Sequence, residues 1–300
     1  MPGTIEIPAG VLAMARLGPR WADWVQTLPA IAADLLDRWR LRPDGVSTHG
    51  HTSLVVPVRT ADGVAAVLKI GFPEQESEHE HLALRRWDGD GAVRLLSAAP
   101  HQRGLLLERL TPVDLSTVPE DLACAVVADL YRRIHVPPMP SLRTLASFLT
   151  KWTADLAALP RSAPIPRRLV EQAIALGGEL IADGAPPARV IHTDLHYGNV
   201  LAAQREPWPV IDPKPVNGDP HYELAPMLWN RWEEIAGDVR AGVRRRFWTL
   251  VDAAGFDQDR ARAWVVVRMV NNAMWAVTDG PKIDAAWLTR CIAVAKAVQE

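Results

Sequence analysis

One short stretch of this 300-residue chain carries residue types at a spacing that suits group transfer. His192, Asp194 and Asn199 follow the pattern H-x-D-x-x-x-x-N, and Asp212 ends an apolar run further along. In phosphoryl transfer one carboxylate meets the acceptor hydroxyl, while an amide oxygen and a second carboxylate hold Mg²⁺ on the ATP phosphates. Hard oxygen ligands such as those of Asn199 and Asp212 suit Mg²⁺. The spacing therefore predicts ATP- and Mg²⁺-dependent chemistry centred on Asp194.

A lysine in an apolar run is the expected partner of that motif. Only five of the 33 basic residues are lysines, and Lys69 lies in the aliphatic sequence AAVLKI. Such a lysine can reach solvent along the strand edge, or it can pair with the α- and β-phosphates of ATP. Glu80 opens a helical pattern with apolar residues three, four and seven positions later, which favours it as the partner of Lys69. Glu74, Glu76 and Glu78 compete for that role.

The residues around Lys69 form short apolar runs joined by turns. An Asp-Gly pair inside 60–63 lies between two of these runs and is a strong hairpin signal. The pattern predicts strands at 53–59, 64–71, 92–97 and 104–110, and helices at 21–40 and 74–87. Residues 1–107 are therefore predicted to form a small antiparallel lobe that covers the nucleotide.

Helical periodicity dominates the rest of the chain, with proline-rich breaks between segments. The pattern predicts helices at 119–135, 143–158, 166–183, 222–254, 258–278 and 283–299, and short strands at 188–192, 199–203 and 208–212. Residues 108–300 are predicted to form a helical lobe with the catalytic loop, the metal site and the acceptor pocket. The expected fold class is α+β with two lobes.

The composition excludes several other classes. The formal net charge of −2 gives no basic field for nucleic acid. Cys124 and Cys291 cannot form a disulfide framework or a cysteine-based zinc site, and they favour a reducing compartment. No apolar run approaches the ~18 residues of a membrane span, and the N-terminus lacks the basic region of a signal peptide. We expect a cytoplasmic protein, with a monomer favoured.

Four segments give the chain a family resemblance, namely IHTDLHYGNVL, VIDPKPVNGDPHYELAPMLWNRW, WDGDGAVRLL and GLLLERL. They resemble the aminoglycoside/hydroxyurea resistance kinases, which include streptomycin 6-phosphotransferases, within the aminoglycoside phosphotransferase superfamily. The resemblance implies a protein-kinase-like fold with ATP bound between the lobes. It implies Asp194 as catalytic base, Asn199 and Asp212 on Mg²⁺, Lys69 on the phosphates and Glu80 as its ion-pair partner.

The nucleotide side departs from the protein-kinase pattern because no G-x-G-x-x-G sequence precedes Lys69. Backbone N–H groups of the hairpin and the hydroxyls of Thr52 or Ser53 are the substitutes that we expect over the phosphates. Backbone groups near Glu108 and Leu110, at the end of GLLLERL, are expected to meet adenine.

Two further residues are assigned to support of the catalytic loop. His192 is expected to hydrogen-bond the loop backbone. His196 lies four residues on, but no glutamate separates the two histidines and Gly198 follows, so a zinc hydrolase is disfavoured. Glu223 stands where many superfamily members carry aspartate, and we expect it to brace the loop through hydrogen bonds.

The acceptor is predicted to be a small molecule. Thr193 is uncharged where regulated protein kinases carry an arginine, and the span from Asp212 to Glu223 is too short for a peptide-docking loop. Residues 219–240 hold five acids and two arginines. Carboxylates and aromatic rings bind cationic antibiotics, so candidate acceptor residues are Glu233, Glu234, Trp229 and Trp232. The alternative is a solvated helix with two core tryptophans.

The leading hypothesis is transfer of the ATP γ-phosphate to a hydroxyl of a streptomycin-like antibiotic, which would confer resistance. A kinase of a sugar, amino-alcohol or hydroxyurea-type metabolite is the alternative with the same chemistry. A nucleotide-binding module without activity is disfavoured, because Lys69, Asp194, Asn199 and Asp212 are all present.

Overall fold

The computed structural model describes residues 5–182, 187–278 and 283–299. The chain divides into two compact units, Met1–Pro112 with Ala202–Lys214, and Val113–Leu201 with Pro215–Glu300. The first unit is built on an antiparallel sheet and the second is mainly helical, which confirms the predicted α+β class.

The first unit includes a segment that the sequence analysis assigned to the second lobe. Residues 202–214 join the first unit because Val210 exchanges backbone hydrogen bonds with Gly91 and Val93, at 2.9 Å each. Arg205 adds side-chain hydrogen bonds to the carbonyls of Gly89 and Ala92. The division also places 108–112 in the first unit, whereas the predicted boundary lay after residue 107.

The sheet of the first unit has antiparallel neighbours in the order β1-β3-β4-β6-β5, with β2 paired to β3. Its strands are β1 Arg42–Pro43, β2 Thr48–His49, β3 Ser53–Arg59, β4 Ala65–Gly71, β5 Leu95–Ala99 and β6 Gly104–Glu108. Ala66, Leu68 and Ile70 of β4 are fully buried. Since side chains alternate along a strand, Lys69 lies on the opposite face of the sheet.

Two helices, α1 (Ala9–Met14) and α2 (Pro19–Arg38), pack on the buried face of that sheet. Trp21 of α2 stacks on Phe72 with ring centroids 3.7 Å apart, and the indole N–H of Trp24 donates to the carbonyl of Gly71. These contacts anchor α2 at the end of β4. Helix α1 was not predicted.

Helix α3 (Glu80–Trp87) connects β4 to β5 and is shorter than predicted. The prediction of helix over 74–79 was wrong, because those residues form turns after Pro73. Glu74 bonds back to the carbonyl of Phe72, and its carboxylate accepts the hydroxyl of Thr52 at 3.1 Å. The helix therefore begins at Glu80 itself.

Among its described residues, the second unit contains seven α-helices. It also contains a short pair of antiparallel strands, β7 (Arg189–Ile191) and β8 (Val216–Gly218). The helices are α4 Glu120–Ile134, α5 Leu145–Ala158, α6 Arg167–Leu180, α7 Ala225–Trp229, α8 Val239–Ala254, α9 Gln258–Thr278 and α10 Ala285–Ala297. Helix α9 packs against α5, α6, α7 and α10. Within the described ranges, no helix is long and apolar enough to cross a membrane.

Several predicted elements of the second half need correction. The segments 199–203 and 208–212 are not strands; they make only isolated bridges, as between Ala92 and Val210. The predicted helix 222–254 is broken after α7, where Arg231 adopts a φ of 50°. Strand β8 was not predicted. Helix α6 ends at Leu180, and residue 183 of the predicted helix 166–183 lies outside the described residues.

Candidate active site

In the first unit, β4 and α3 bring a lysine and a glutamate into a buried ion pair. The Nζ atom of Lys69 donates to both carboxylate oxygens of Glu80, at 2.7 and 2.8 Å. The two side chains are only 12% and 5% exposed. Of the four acidic candidates, Glu80 is the one that contacts Lys69; Glu74 accepts the hydroxyl of Thr52, and Glu78 lies 3.9 Å from Arg103.

Asp212 completes this cluster within the same unit. Its Oδ1 atom lies 2.5 Å from Nζ of Lys69 and 3.1 Å from Nζ of Lys214. Lys69 therefore bridges two carboxylates, and a second ammonium group reaches one of them. Lys214 was not among the predicted site residues. Its position two residues after Asp212, in a chain with five lysines, is the signal that could have identified it.

The charges of Lys69 and Asp212 stabilise one another. Burial lowers the pKa of Lys69, but Glu80 and Asp212 outweigh it, so the pKa lies above its ordinary value and the ammonium stays charged. Burial raises the pKa of Asp212, but Lys69 and Lys214 outweigh it and hold this pKa well below its ordinary value. A charged lysine can pair with phosphate oxygens, and an ionised aspartate can offer oxygens to Mg²⁺.

The remaining nucleotide candidates lie at two ends of the sheet. Ser53 begins β3 and is buried, and its carbonyl accepts the N–H of Gly50. The hydroxyl of Thr52 is engaged by Glu74. Glu108 ends β6, where its carboxylate pairs with Arg205 at 2.6 Å and its N–H donates to the carbonyl of Arg94. The backbone that is expected to contact adenine therefore lies in the segment that follows β6, through Leu110.

In the second unit, the loop that was predicted to be catalytic follows β7 and is held through the backbone of Asp194. The imidazole Nδ1 of buried His192 accepts the N–H of Asp194 at 3.2 Å. The side-chain amide of Asn199 donates to the carbonyl of Asp194 at 2.8 Å. Among the described residues, the carboxylate of Asp194 makes no hydrogen bond or ion pair. This carboxylate is half-buried and is therefore available to meet a hydroxyl.

Glu223 lies beneath the same loop. Its side chain is fully buried, and Oε1 accepts the N–H of Thr193. Its other oxygen lies 3.5 Å from Nε2 of His135, and its carbonyl accepts the hydroxyl of Tyr131 at 3.0 Å. Burial raises the pKa of Glu223, but His135 outweighs it, so the pKa lies below its ordinary value. An ionised carboxylate thus braces the residue before Asp194.

The donor chemistry of two residues fits Mg²⁺. The amide N–H of Asn199 is used by the carbonyl of Asp194, which leaves the amide oxygen as a ligand. Asp212, in the first unit, offers an ionised carboxylate. Oxygens of this kind are those that Mg²⁺ accepts from proteins. Within the described part of the chain, His, Cys, Asp and Glu side chains form no group of three or more that could hold a metal ion without a substrate.

The four acceptor candidates contact arginines of the chain itself or solvent. Glu234 pairs with Arg231 at 2.7 Å. The ring of Trp229, at the end of α7, lies 5.1 Å from the guanidinium carbon of Arg268, and that of Trp232 lies 4.8 Å from Arg290. Glu233 is exposed. A cationic acceptor would have to compete with these arginines everywhere except at Glu233.

The fold defines a class, the proteins of protein-kinase-like fold. A crystal structure of aminoglycoside phosphotransferase APH(4)-Ia, a thermostable mutant with ADP and hygromycin B, has a TM-score of 0.60 at 19% identity, over 88% of this chain and 97% of that one. A choline/ethanolamine kinase family protein from Mesorhizobium loti has a TM-score of 0.61 at 17% identity, over 90% and 95%. At these identities the likeness shows the fold.

Sequence comparison defines the family. The profile described as "Aminoglycoside/hydroxyurea antibiotic resistance kinase" matches residues 38–280. A streptomycin 6-kinase of Streptomyces glaucescens is 42% identical over 95% of both chains. A hydroxyurea phosphotransferase of Kitasatospora aureofaciens is 41% identical over 97% of this chain and 85% of its own. The chain belongs to the aminoglycoside/hydroxyurea antibiotic resistance kinase family, and it is a phosphotransferase that acts on a hydroxyl group.

Proposed function

We propose that this chain transfers the γ-phosphate of ATP to a hydroxyl group of streptomycin or a closely similar aminoglycoside, and so inactivates the antibiotic. The observation that carries the proposal is the catalytic loop, in which His192 and Asn199 both hold the backbone of Asp194. The streptomycin 6-kinases of Streptomyces glaucescens and Streptomyces griseus, each 42% identical, support the acceptor class.

The loop residues divide the work of the reaction. Asp194 accepts the proton of the acceptor hydroxyl and orients that oxygen, as a half-buried carboxylate without another partner can. His192 and Asn199 hold the main chain of Asp194, so that little reorganisation is needed when the acceptor binds. Glu223 supports the same loop from beneath through Thr193.

The cluster of the first unit binds the phosphates. Lys69, kept charged and in place by Glu80, offers its ammonium group to the α- and β-phosphate oxygens. Asn199 and Asp212 would each offer an oxygen to Mg²⁺, and the bound metal would supply positive charge to offset that of the phosphates. Lys214 lies beside Asp212 and adds positive charge near the same carboxylate. Thr52, Ser53 and the backbone near Leu110 are proposed to contact the rest of the nucleotide.

A second candidate acceptor is hydroxyurea. The observation in its favour is the hydroxyurea phosphotransferase of Kitasatospora aureofaciens, which is 41% identical to this chain. Hydroxyurea also offers a hydroxyl group, so Asp194 would serve both acceptors in the same way. The two acceptors differ in charge, because streptomycin carries guanidinium groups and hydroxyurea is neutral, and they also differ in size.

The cytoplasmic location and the monomeric state that the sequence leads us to expect stay predictions.

The test is a measurement of ADP release and of phosphorylated product with ATP and Mg²⁺ against an acceptor panel. The panel contains streptomycin, other aminoglycosides, viomycin, hydroxyurea and simple amino-alcohols, and the Asp194→Ala variant is the blank. We expect turnover of streptomycin, with kcat reduced ~10²–10⁴-fold in the variant while ADP still binds. Turnover of hydroxyurea alone would show that hydroxyurea, and not streptomycin, is the acceptor. Full activity of Asp194→Ala would overturn the assignment of the base.

A further inference from the structure

The residue before Asp194 has a backbone conformation that its side chain disfavours. Thr193 has a φ of 63°, in the left-handed region. For a β-branched residue this is an outlier, because the branched Cβ crowds the neighbouring carbonyl. Since Thr193 and Asp194 share a peptide unit, a return of Thr193 to an ordinary conformation would rotate Asp194 away from its present direction. Something in the fold must hold Thr193 where it is.

Two buried side chains hold the backbone of Thr193 from opposite sides. The N–H donates to Glu223, as described above, and the carbonyl accepts Nη2 of Arg268 at 2.5 Å. Arg268 belongs to α9 and is only 8% exposed. Its Nη1 atom donates at 3.2 Å to the carbonyl of Tyr222, the residue next to Glu223. The guanidinium of Arg268 therefore links Thr193 to the segment that contains Glu223, the residue that binds the N–H of Thr193.

The side chains around Arg268 fix the orientation of its guanidinium group. Its guanidinium carbon lies 4.3 Å from the ring centroid of Tyr222 and 5.1 Å from that of Trp229. Among the described residues, no carboxylate forms an ion pair with Arg268. The guanidinium of Arg268 therefore binds two main-chain carbonyls and lies over two aromatic rings. Because the guanidinium is planar, its two hydrogen bonds fix the positions of both carbonyls.

We propose that Arg268 is a positioning residue of the phosphotransferase, which holds Thr193 in the left-handed conformation and thereby aims Asp194 at the acceptor hydroxyl. This inference rests on the proposed function for the role of Asp194. It adds a side chain from the C-terminal half of the chain that acts through the backbone of Thr193. No motif around Asp194 identifies it.

A double-mutant cycle tests the inference, because glycine adopts the left-handed conformation without strain. Arg268→Met keeps most of the volume and removes both donors. In the wild-type background we expect it to lower kcat ~10–100-fold, with the KM for ATP changed less than ~2-fold. In the Thr193→Gly background we expect it to lower kcat by less than ~3-fold, because no strain remains for Arg268 to oppose. Equal losses in both backgrounds, or no loss in either, would overturn the proposal.

A matched control lies on the same helix. Arg262 also donates to a main-chain carbonyl, that of Val298, and lies over the ring of Trp248. We expect Arg262→Met to leave kcat unchanged in both backgrounds. If Arg268→Met fails to fold by circular dichroism, Arg268→Lys takes its place in the same cycle, since lysine cannot hold both carbonyls as a planar fork.

Hydrogen–deuterium exchange separates this inference from the proposed function, because it needs no acceptor. We expect Arg268→Met to speed amide exchange in the peptide that contains residues 192–195, and Arg262→Met to leave it unchanged. Unchanged exchange in that peptide would overturn the role of Arg268 even if streptomycin is the acceptor. Faster exchange in a protein that turns over no member of the panel would support the positioning role and reject the proposed acceptors.

Discussion

The two functional clusters are held by different forces. In the first unit, the buried ammonium of Lys69 contacts two carboxylates, that of the buried Glu80 and that of the partly exposed Asp212. In the second unit, Asp194 is held through its main chain, by hydrogen bonds to His192 and Asn199. A charge cluster responds strongly to the loss of its central cation, because the buried carboxylate of Glu80 is then left without its partner. A backbone-held loop loses direction when a brace is removed, while its own charge is unaffected.

The largest effect that separates the two clusters is expected from Lys69→Met. The substitution removes the cation between Glu80 and Asp212, so the buried carboxylate of Glu80 loses its partner while Asp212 keeps only Lys214. We expect kcat/KM for ATP to fall ~10²–10³-fold, since an electrostatic contact to the phosphates is lost. Steady-state kinetics with ATP varied at saturating acceptor measure this.

The control for that prediction is Lys151→Met, which removes an exposed lysine on α5 that pairs with Asp155 at 2.5 Å. It is expected to change kcat/KM by less than ~2-fold, because exposed ion pairs contribute little. An equal loss in the two variants would show that the buried pair of Lys69 has no special role.

A smaller effect, on stability rather than on catalysis, is expected from Asp219→Asn. Asp219 is buried in the second unit, where it accepts from Arg260, from the ring N–H of Trp264 at 2.6 Å and from His221. Burial raises its pKa, but the hydrogen bonds from His221 and Trp264 outweigh it and lower the pKa from 3.8 to about 2. The ionised form therefore stabilises the folded protein by about 2 kcal/mol above pH 4.

The contribution of Asp219 to stability depends on pH in one direction. Because the folded pKa is the lower one, this stability is complete above the unfolded pKa and is lost as pH falls from about 4 towards 2. Urea unfolding at pH 7 and at pH 3.5 measures it. The wild type is expected to lose more stability over that interval than Asp219→Asn, whose KM for ATP is expected to stay unchanged. A steeper loss in the variant would contradict the assignment.

The smallest effect is expected at Glu233, outside both clusters. This exposed carboxylate is the acceptor candidate without an arginine partner among the described residues, so it is the one free to meet a cationic acceptor. We expect Glu233→Gln to raise the KM for streptomycin ~2–5-fold, with the KM for ATP unchanged, since one exposed ion pair contributes up to ~1 kcal/mol. Glu234→Gln is the comparison, because Glu234 already pairs with Arg231. An unchanged KM for streptomycin in both variants would exclude this face from the acceptor site.

Spacing and alternation along the chain were enough to predict the loop from His192 to Asn199 and the strand that carries Lys69. The motif from His192 to Asn199 is local, so its spacing is visible in the chain, and the alternation of β4 follows from burial of one sheet face. Helix α3 could be placed only in part, because turns after Pro73 occupy the residues that the periodicity assigned to it.

Which distant side chains meet these elements depends on the packing of segments that are remote in sequence. Asp212 reaches Lys69 because residues 202–214 bond to the first unit, whereas the sequence pattern had placed them as short strands in the helical lobe. Arg268 meets the carbonyl of Thr193 across 75 positions of sequence. Trp229 was expected to offer its ring to an acceptor, but Arg268 lies over it. Hydrogen bonds between remote segments depend on helix packing, which no local pattern encodes, so these partners could not be read from spacing.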